Sequence, residues 1–197
     1  MLPPAFLSPI NIAAFQFMKA IASPGLNTAM SWVTDSFYVI IPVLIIYAFL
    51  RKNDNVYSLI VAGIVLYIIS DVLKHVFMEP RPCSVSDLSW INQTACDPTY
   101  GFPSNHAAVL AGLPMFIWGH KIVRVLYIVW VAVVLFSRIY LGQHYLTDVL
   151  AGIVISLVVS YIIWLLRAQL SRIGNLVLGR IGILRLRGMI LRIFTRV

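Results

Sequence analysis

Charged side chains are scarce in this chain of 197 residues. Asp, Glu, Lys and Arg together make up 11% of the sequence, and only seven residues are acidic. Soluble domains carry about 25% charged residues. This chain, with 60% hydrophobic residues and a mean hydropathy of +0.91, is therefore not expected to be a soluble domain. Because the length favours a single domain, the composition predicts one membrane-embedded domain.

Three other features are sparse or missing. The N-terminus lacks the basic residues of a secretory signal peptide and contains Pro3, Pro4 and Pro9, so we expect membrane segments to serve as the targeting signal. The sequence shows no internal repeat or low-complexity linker. Cysteine occurs only as Cys83 and Cys96, which leaves two unrelated thiols or a disulfide open. If their segment faces an oxidising compartment, a disulfide is favoured, and closing its loop would stabilise the fold by about 3 kcal/mol.

The chain is basic, with a net charge of +8, but its basic residues do not form a nucleic-acid-binding face. They lie at the ends of apolar segments and in the C-terminal tail. Binding through counterion release needs a clustered, exposed patch of Lys and Arg. We therefore expect a membrane as the partner and no nucleic acid.

Apolar runs near membrane-spanning length make up much of the chain. A transmembrane helix needs about 20 apolar residues. Five segments approach or exceed that length, namely residues 37–50 extended by Trp32 and Val33, 56–78, 104–119, 122–140 and 144–166. The third is short and contains Pro114. Upstream, residues 9–22 and 26–35 are predicted to be interfacial helices, with a sixth span as the alternative.

The sequence thus predicts an all-α integral membrane protein, a bundle of five to six transmembrane helices with N-terminal interfacial helices and a basic amphipathic C-terminal tail. We place the transmembrane domain at residues 1–167 and the tail at residues 168–197. The tail alternates apolar residues with arginines, which suits a helix on an anionic membrane surface. A disordered basic tail is the alternative.

Basic residues predict the orientation of the five spans. One side of the membrane receives eleven of the fifteen Lys and Arg residues: Arg51, Lys52, Lys121, Arg124, Arg167 and the six arginines that follow. The positive-inside rule places that side, with the tail, in the cytoplasm. The N-terminus, the cysteine segment and the region around His144 then face outwards, and we expect the membrane to be the plasma membrane.

One outward segment carries an unusual density of ionisable groups, Arg138, His144 and Asp148. Such groups near a bilayer indicate function. His144 and Asp148 are four residues apart, so a helix would place them on one face. The carboxylate could hold one imidazole nitrogen as N–H and leave the other free to attack or accept a proton. Arg138 could supply a fixed positive charge to an anionic substrate.

Two further motifs supply groups of the same kind. Lys74 and Arg81 could grip phosphate oxygens, although both could instead reach lipid head groups. Ser104 and His106 open the third apolar segment, where a helix N-terminus favours anions. Ser104 could simply cap that helix. His106 could be the general acid that protonates a leaving oxygen.

Lys74-x6-Arg81-Pro82, Pro103-Ser104-Asn105-His106 and Ser137-Arg138-x5-His144-x3-Asp148 occur in this order. Together they resemble the motifs of the type 2 phosphatidic acid phosphatase family, integral-membrane lipid phosphatases related to vanadium haloperoxidases. The resemblance covers roughly residues 74–152 in detail. One departure is Asn105, where the family most often has glycine. Because Asn tolerates left-handed backbone better than most residues, we expect the loop to be preserved.

The resemblance implies a role for each matched residue. His144 is the expected nucleophile, forming a phosphohistidine intermediate, and Asp148 orients it. His106 is the expected acid, which later activates water. The expected phosphate-binding residues are Lys74, Arg81, Arg138, Ser104 and Asn105. Members of this family need no metal, and we expect no cofactor.

The sequence therefore predicts a phosphatase that hydrolyses a lipid phosphate or diphosphate at the extracytoplasmic face. Our first substrate is a polyprenyl diphosphate, because that carrier-lipid phosphate is released on the outer side. Phosphatidylglycerophosphate and phosphatidate are the alternatives. A non-catalytic lipid-binding or transport protein on the same scaffold is the alternative of another class. No obligate protein partner is evident from the sequence.

Overall fold

A computed structural model describes residues 8–50, 55–85, 96–117 and 121–180. Within these ranges the regular structure is helical, with no strand. The α-helices are α1 Pro9–Ile21, α2 Pro24–Asp35, α3 Phe37–Leu50, α4 Val56–Phe77, α5 Pro82–Val85, α6 Asn105–Leu110, α7 Lys121–Tyr140, α8 Leu146–Leu165 and α9 Arg167–Arg180, and a 3₁₀ helix covers Leu113–Phe116. The predicted all-helical class is confirmed.

Four described stretches are long and apolar enough to cross a membrane: Pro24–Leu50, Val56–Ser84, Lys121–Tyr140 and Leu146–Leu165. The last three correspond to the predicted second, fourth and fifth spans. Their surfaces expose many large apolar side chains, such as Ile64, Val129 and Val158. A helix that is apolar all round is stable where lipid covers it. The protein is a multi-pass membrane protein.

The predicted third span, residues 104–119, is not one continuous helix. The six-residue helix α6 ends at Leu110, and the chain continues as the 3₁₀ helix. Pro114 has no N–H for an α-helical bond. Gly112 packs against α8, where its N–H donates to Ser156 Oγ at 2.8 Å. A Cβ on Gly112 would overlap the Ser160 hydroxyl, so this close approach requires glycine.

At the N-terminal end, the predicted separation of an interfacial helix from the first span does not occur. Only Ser36 lies between α2 and α3, and its N–H donates to Trp32 O at 2.9 Å, so the two helices form one stretch of span length. The polar face of α2 is buried rather than interfacial, with Asn27 and Thr34 packed inwards. The 13-residue α1 is shorter than a span, as predicted for residues 9–22.

The end of the bundle that carries the predicted site residues is built around α6, which packs between α4 and α8. Gly152 of α8 faces the start of α6. A Cβ at this position would lie 2.7 Å from Ala107 Cβ, 2.9 Å from Ser104 O and 3.0 Å from Ala108 N. Two of these three atoms are backbone atoms, which cannot move aside cheaply. Gly152 therefore sets the distance between the two helices.

Replacing Gly152 with alanine is expected to destabilise the protein by roughly 1–3 kcal/mol, because the added methyl group overpacks a close helix contact. Thermal unfolding in detergent measures the change. Gly63→Ala in α4 is the matched control, since among the described residues no atom of another packing element lies within 4 Å of the position that its Cβ would take. Equal unfolding temperatures for the two variants would contradict this role of Gly152.

The predicted tail begins with α9, which is helical from Arg167 to Arg180. It packs against the start of α4, where Tyr57 Oη donates to Asn175 Oδ1 at 2.8 Å. The first half of the segment assigned to the tail is therefore an ordered helix. Residues 181–197 lie outside the described residues, and the division of the chain at residue 167 stays a prediction.

Candidate active site

Four parts of the chain bring the predicted residues together at one end of the bundle. They are the end of α4 with the segment before α5, the start of α6, the end of α7, and the loop that leads into α8. Six of the predicted side chains are buried there, namely Lys74, Arg81, Ser104, Arg138, His144 and Asp148. Asn105 and His106 are half-buried.

His144 is held by the turn that follows α7. Gly142 adopts a positive φ of 64°, as glycine commonly does just past a helix C-terminus. The chain then folds back, and the backbone N–H groups of Gln143 and His144 donate to Arg138 O at 3.1 and 3.2 Å. This turn fixes the backbone of His144 against the last turn of α7, beside the arginine predicted to bind phosphate.

The hydrogen bonds of the His144 ring define its tautomer. Nδ1 lies 2.9 Å from Gly101 O, a carbonyl that can only accept, so Nδ1 carries the proton. Nε2 therefore has the free lone pair, and it accepts from Arg81 Nη1 at 3.2 Å. Burial, followed by the charges of Arg138 and Arg81, lowers the pKa of His144 well below its ordinary value. The ring is neutral and able to act as a nucleophile at Nε2.

Asp148 was expected to orient His144, but in the structure both Asp148 and the carbonyl of Gly101 lie near His144 Nδ1. Its Oδ2 lies 3.6 Å from His144 Nδ1 and accepts from the backbone N–H of Tyr145 at 2.9 Å. The shorter hydrogen bond of Nδ1 is instead the one that it donates to Gly101 O. Asp148 therefore caps the N-terminus of α8 and places its carboxyl group beside the ring. A Cβ on Gly101 would lie 3.3 Å from Asp148 Oδ2, so a larger residue there would crowd the carboxylate.

Lys74 and Arg81 bind the segment that carries Gly101. Lys74 Nζ donates to Tyr100 O at 2.6 Å and to Gly101 O at 3.2 Å. Arg81 donates from Nε to Thr99 O at 2.8 Å. Arg81 contacts the imidazole directly at Nε2, whereas Lys74 holds Gly101 O, the carbonyl to which the ring donates.

Arg138 and His106 line a cavity of about 210 Å³ next to these groups. Arg138 Nη1 donates to Thr34 Oγ1 at 3.1 Å, while its buried Nε has no hydrogen bond within the described ranges. His106 Nε2 is also buried, with no hydrogen-bond partner in the described part of the chain, and its ring packs against Phe37 with centroids 4.8 Å apart. Burial, followed by the charges of Arg138 and Arg81, lowers the pKa of His106 to about 3. Its ring is neutral before an anion arrives.

The side chains of Ser104 and Asn105 differ in whether they are already hydrogen-bonded to the protein. Ser104 occupies the N-cap position of α6, but its side chain does not cap the helix. Its hydroxyl is buried and makes no hydrogen bond to any described residue. Asn105 is the first residue of α6 and does not adopt a positive φ, so no left-handed conformation is needed. Its Oδ1 accepts from Ser70 Oγ at 2.5 Å, which ties α6 to α4.

Several residues at this site were not found from the sequence. Asp97 and Thr99 contact Arg81, Gly101 binds His144, and Thr34 of α2 binds Arg138. One signal for Asp97 was present, because it is one of only seven acidic residues and follows Cys96 directly. The carbonyl of Gly101 has no signature in a sequence. Thr34 lies in a segment that was assigned to the membrane interface.

Cys83 and Cys96 form a disulfide, with their Cα atoms 5.8 Å apart. The predicted pairing is supported, and its position links two parts of the site. Cys83 follows Arg81 by two residues, and Cys96 directly precedes Asp97. The covalent bond therefore holds the segment that contains Asp97 next to Arg81.

Replacing both cysteines with serine is expected to lower the free energy of unfolding by about 3 kcal/mol, because the unfolded chain loses its covalent loop. Thermal unfolding in detergent is measured with and without reductant. Reductant should lower the unfolding temperature of the wild type and leave the double-serine variant unchanged. Free thiols in protein extracted from membranes would show that the bond is absent.

These features together define a class of protein. The chain is a multi-pass helical membrane protein with a buried, neutral histidine surrounded by one lysine and two arginines at one end of the bundle. Such a set of cations suits a phosphate group.

The chain belongs to the PAP2 superfamily, whose sequence model matches residues 54–172. The resemblance inferred from the three motifs is therefore confirmed. Every predicted catalytic and phosphate-binding residue lies inside the matched range. Residues 8–50, with Thr34 and Phe37, lie outside it.

Related proteins carry the names of lipid phosphatases. The chain is 29% identical to the lipid A 4'-phosphatase of Porphyromonas gingivalis over 64% of this chain and 59% of that protein. It is 30% identical to the lipid A 4'-phosphatase of Bacteroides thetaiotaomicron over 76% of this chain and 73% of that protein. With the undecaprenyl-diphosphatase of Sulfolobus acidocaldarius the identity is 25% over 77% and 76%. The chain thus spans less than two thirds of the first of these relatives.

Two solved structures share the fold. The crystal structure of Aquifex aeolicus LpxE matches with a TM-score of 0.68 and 21% identity, over 83% of this chain and 98% of that one. The transmembrane PAP2 type phosphatidylglycerolphosphate phosphatase of Bacillus subtilis matches with a TM-score of 0.63 and 25% identity, over 81% and 87%. The helical arrangement described above is therefore that of PAP2 membrane proteins.

Proposed function

We propose that this protein is a lipid phosphatase that hydrolyses a lipid phosphate or diphosphate through a phosphohistidine intermediate. The observation that carries the proposal is the state of the His144 ring. A neutral imidazole has its proton fixed on Nδ1 by Gly101 O, and its free Nε2 lies beside a guanidinium group. This is the arrangement needed for attack on a phosphorus atom held by cations.

In the proposed first step, His144 Nε2 attacks phosphorus, and the bond from phosphorus to the leaving oxygen breaks. His106 donates a proton to that oxygen. The neutral state of His106 in the free protein is compatible with this role, because a bound phosphate adds negative charge beside the ring and favours its protonation. In the second step His106 takes a proton from water, and the water oxygen displaces His144 from phosphorus.

Lys74, Arg81 and Arg138 are the proposed phosphate ligands, with Ser104 Oγ and the backbone N–H groups at the start of α6 assisting. Arg138 Nε and Ser104 Oγ are buried polar atoms that have no hydrogen-bond partner among the residues that the structure describes. This supports the proposed role, since an unpaired buried donor is costly. Three cations neutralise the charge that develops on the phosphoryl group. We therefore propose that no metal ion takes part.

Three lipid substrates are proposed in the order that the sequence suggested: a polyprenyl diphosphate first, then phosphatidylglycerophosphate and phosphatidate. A relative named as an undecaprenyl-diphosphatase supports the first, and a structural neighbour named as a phosphatidylglycerolphosphate phosphatase supports the second. Selectivity among them is proposed to arise on α2 and α3. Ser31, Thr34, Asp35 and Tyr38 line the cavity beside His106 yet lie outside the range that the family shares.

We further propose that the site faces the extracytoplasmic side of the plasma membrane and that α9 lies on the cytoplasmic side. The basis is the asymmetry of Lys and Arg between the two ends of the bundle. A lipid-binding or transport protein without catalysis is the second candidate. It is disfavoured because all six ionisable residues of the motifs meet at one site.

A phosphate-release panel in a single detergent tests the proposal, with polyprenyl diphosphate, phosphatidylglycerophosphate and phosphatidate as substrates. We expect release from at least one of them. Orthovanadate should inhibit, because it adopts the geometry of five-coordinate phosphorus at the histidine, and EDTA should have no effect. Turnover that requires magnesium and ignores vanadate would contradict the mechanism. Binding of all three lipids without any release would favour the second candidate.

A further inference from the structure

Arg81 is fully occupied by protein atoms in this structure. A guanidinium has five N–H groups, and here the group makes five hydrogen bonds. Nη2 donates to Asp97 Oδ2 at 2.9 Å and to Thr99 Oγ1 at 2.7 Å. Nε donates to Thr99 O at 2.8 Å, and Nη1 donates to Gln143 O at 2.9 Å and to His144 Nε2 at 3.2 Å. A phosphate can bind this side chain only if some of these partners leave.

Asp97 is the partner that most resembles a phosphate. It presents a negative oxygen to the guanidinium fork, as a phosphate group does. The pKa of its carboxyl lies below the ordinary value, because hydrogen bonds from Thr99 and the charge of Arg81 outweigh the effect of burial, so the group is ionised. Thr99 holds the other carboxylate oxygen through its backbone N–H at 2.9 Å and its hydroxyl at 2.8 Å.

Asp97 connects the cavity with Arg81, because it lines the cavity and is bonded to the guanidinium. The Asp97 side chain is 42% exposed and that of Arg81 is 3% exposed, so the carboxylate covers the guanidinium on the solvent side. Asp97 also lines the cavity that contains His106 and Arg138. A phosphate entering through this cavity would meet Asp97 before it reached Arg81. The Cys83–Cys96 disulfide keeps the carboxylate close to the arginine.

From this geometry we infer that Asp97 occupies the phosphate position on Arg81 and competes with substrate and product phosphate for it. The inference rests on the proposed function, since it assumes that Arg81 binds the phosphoryl group. Binding of substrate displaces the carboxylate, and its return after hydrolysis displaces inorganic phosphate. Asp97 thus weakens the binding of the substrate phosphate before hydrolysis and of inorganic phosphate after it. It acts through Arg81 and takes no part in bond breaking.

The alternative role for Asp97 is to hold Arg81 in place, and the two roles predict opposite effects. Asp97→Asn keeps the size of the side chain and an oxygen that can accept from Thr99, but it removes the negative charge. Competition predicts that vanadate and inorganic phosphate inhibit the variant at about tenfold lower concentration, with a KM lowered to a similar extent, because a charge-assisted bond no longer opposes them. A purely structural role predicts weaker inhibition and a higher KM.

The measurement compares wild type, Asp97→Asn and Asp71→Asn in one detergent. Asp71 is the matched control, since its exposed carboxylate lies near His75 on the outer surface of α4 and does not contact Arg81. Inhibition by vanadate and by phosphate is titrated, and the shift in unfolding temperature caused by vanadate is recorded in parallel. The second readout needs no turnover. It therefore separates failure of this inference from failure of the proposed phosphatase activity.

A second variant guards against misfolding of the first. Thr99→Val removes the hydroxyl that bridges Arg81 and Asp97 but keeps the backbone bonds of residue 99. Competition predicts a shift in the same direction as for Asp97→Asn, and a smaller one. Vanadate binding that is unchanged or weakened in both variants would overturn the inference.

Discussion

Replacing His144 with alanine is expected to lower phosphate release by about 10⁴-fold or more on every lipid that the wild type hydrolyses, because the variant has no nucleophile. Removing the ring also takes one of two hydrogen bonds from Gly101 O, which still accepts from Lys74 Nζ, and it leaves one N–H of Arg81 without its partner. The unfolding temperature is therefore measured alongside. Single-turnover reactions quenched with base should yield phosphohistidine in the wild type and none in the variant.

His75→Ala is the matched control for that experiment. His75 lies on the exposed face of α4, where Nδ1 is 2.8 Å from Asp71 O, and it is adjacent in sequence to Lys74 without sharing its burial. Its loss should leave turnover unchanged. A folded His144→Ala protein that retains turnover would exclude the phosphohistidine mechanism, whatever the control shows.

Arg81→Lys is expected to have the second largest effect, a decrease of about 10²- to 10³-fold in kcat/KM. An ammonium group keeps the charge, but it cannot reproduce the planar fork that binds two oxygens of one phosphate. In this structure the guanidinium also reaches Gln143 O and His144 Nε2 from a single nitrogen. The substitution therefore disturbs both the phosphate position and the surroundings of the nucleophile.

Kinetic and binding measurements on Arg81→Lys distinguish these two contributions. Loss of phosphate contacts alone raises KM and weakens inhibition by vanadate, whereas a displaced His144 lowers kcat. Arg172→Lys on α9 is the matched control, since this arginine is exposed and lies far along the chain from the motifs. If Arg81→Lys had the kinetics of the wild type, Arg81 would not be a phosphate ligand, and the competition inferred for Asp97 would lose its basis.

Much of the candidate site was predictable because ionisable side chains are energetically costly near a membrane and therefore stand out in the sequence. Lys74, Arg81, Arg138, His144 and Asp148 stand out in a chain with few charges, and their order and spacing match one family. The structure brings all five together. Their partners were less predictable. The spacing of His144 and Asp148 suggested a direct hydrogen bond, but the close acceptor of Nδ1 is a carbonyl 43 residues away in sequence.

The fold, too, was predictable from the sequence in some segments and not in others. Hydropathy identified residues 56–78, 122–140 and 144–166 as spans, because lipid requires long apolar helices and little else. It failed for residues 104–119, where Gly112 and Pro114 replace the helix by a turn packed on α8. Hydropathy also failed at residues 26–35, because the two buried polar side chains of α2 form hydrogen bonds with α7. Asn27 accepts from Tyr140, and Thr34 accepts from Arg138.

The sequence by itself determined that this is a helical membrane protein and that the six ionisable residues of its three motifs belong together. Both follow from composition and from short-range spacing, which are properties of the chain alone. Only the tertiary structure decided the tautomer of His144, the distance between Asp148 and the His144 ring, and the ion pair between Arg81 and Asp97. Each depends on hydrogen bonds between segments distant in sequence, and their geometry is set by how α4, α6, α7 and α8 pack.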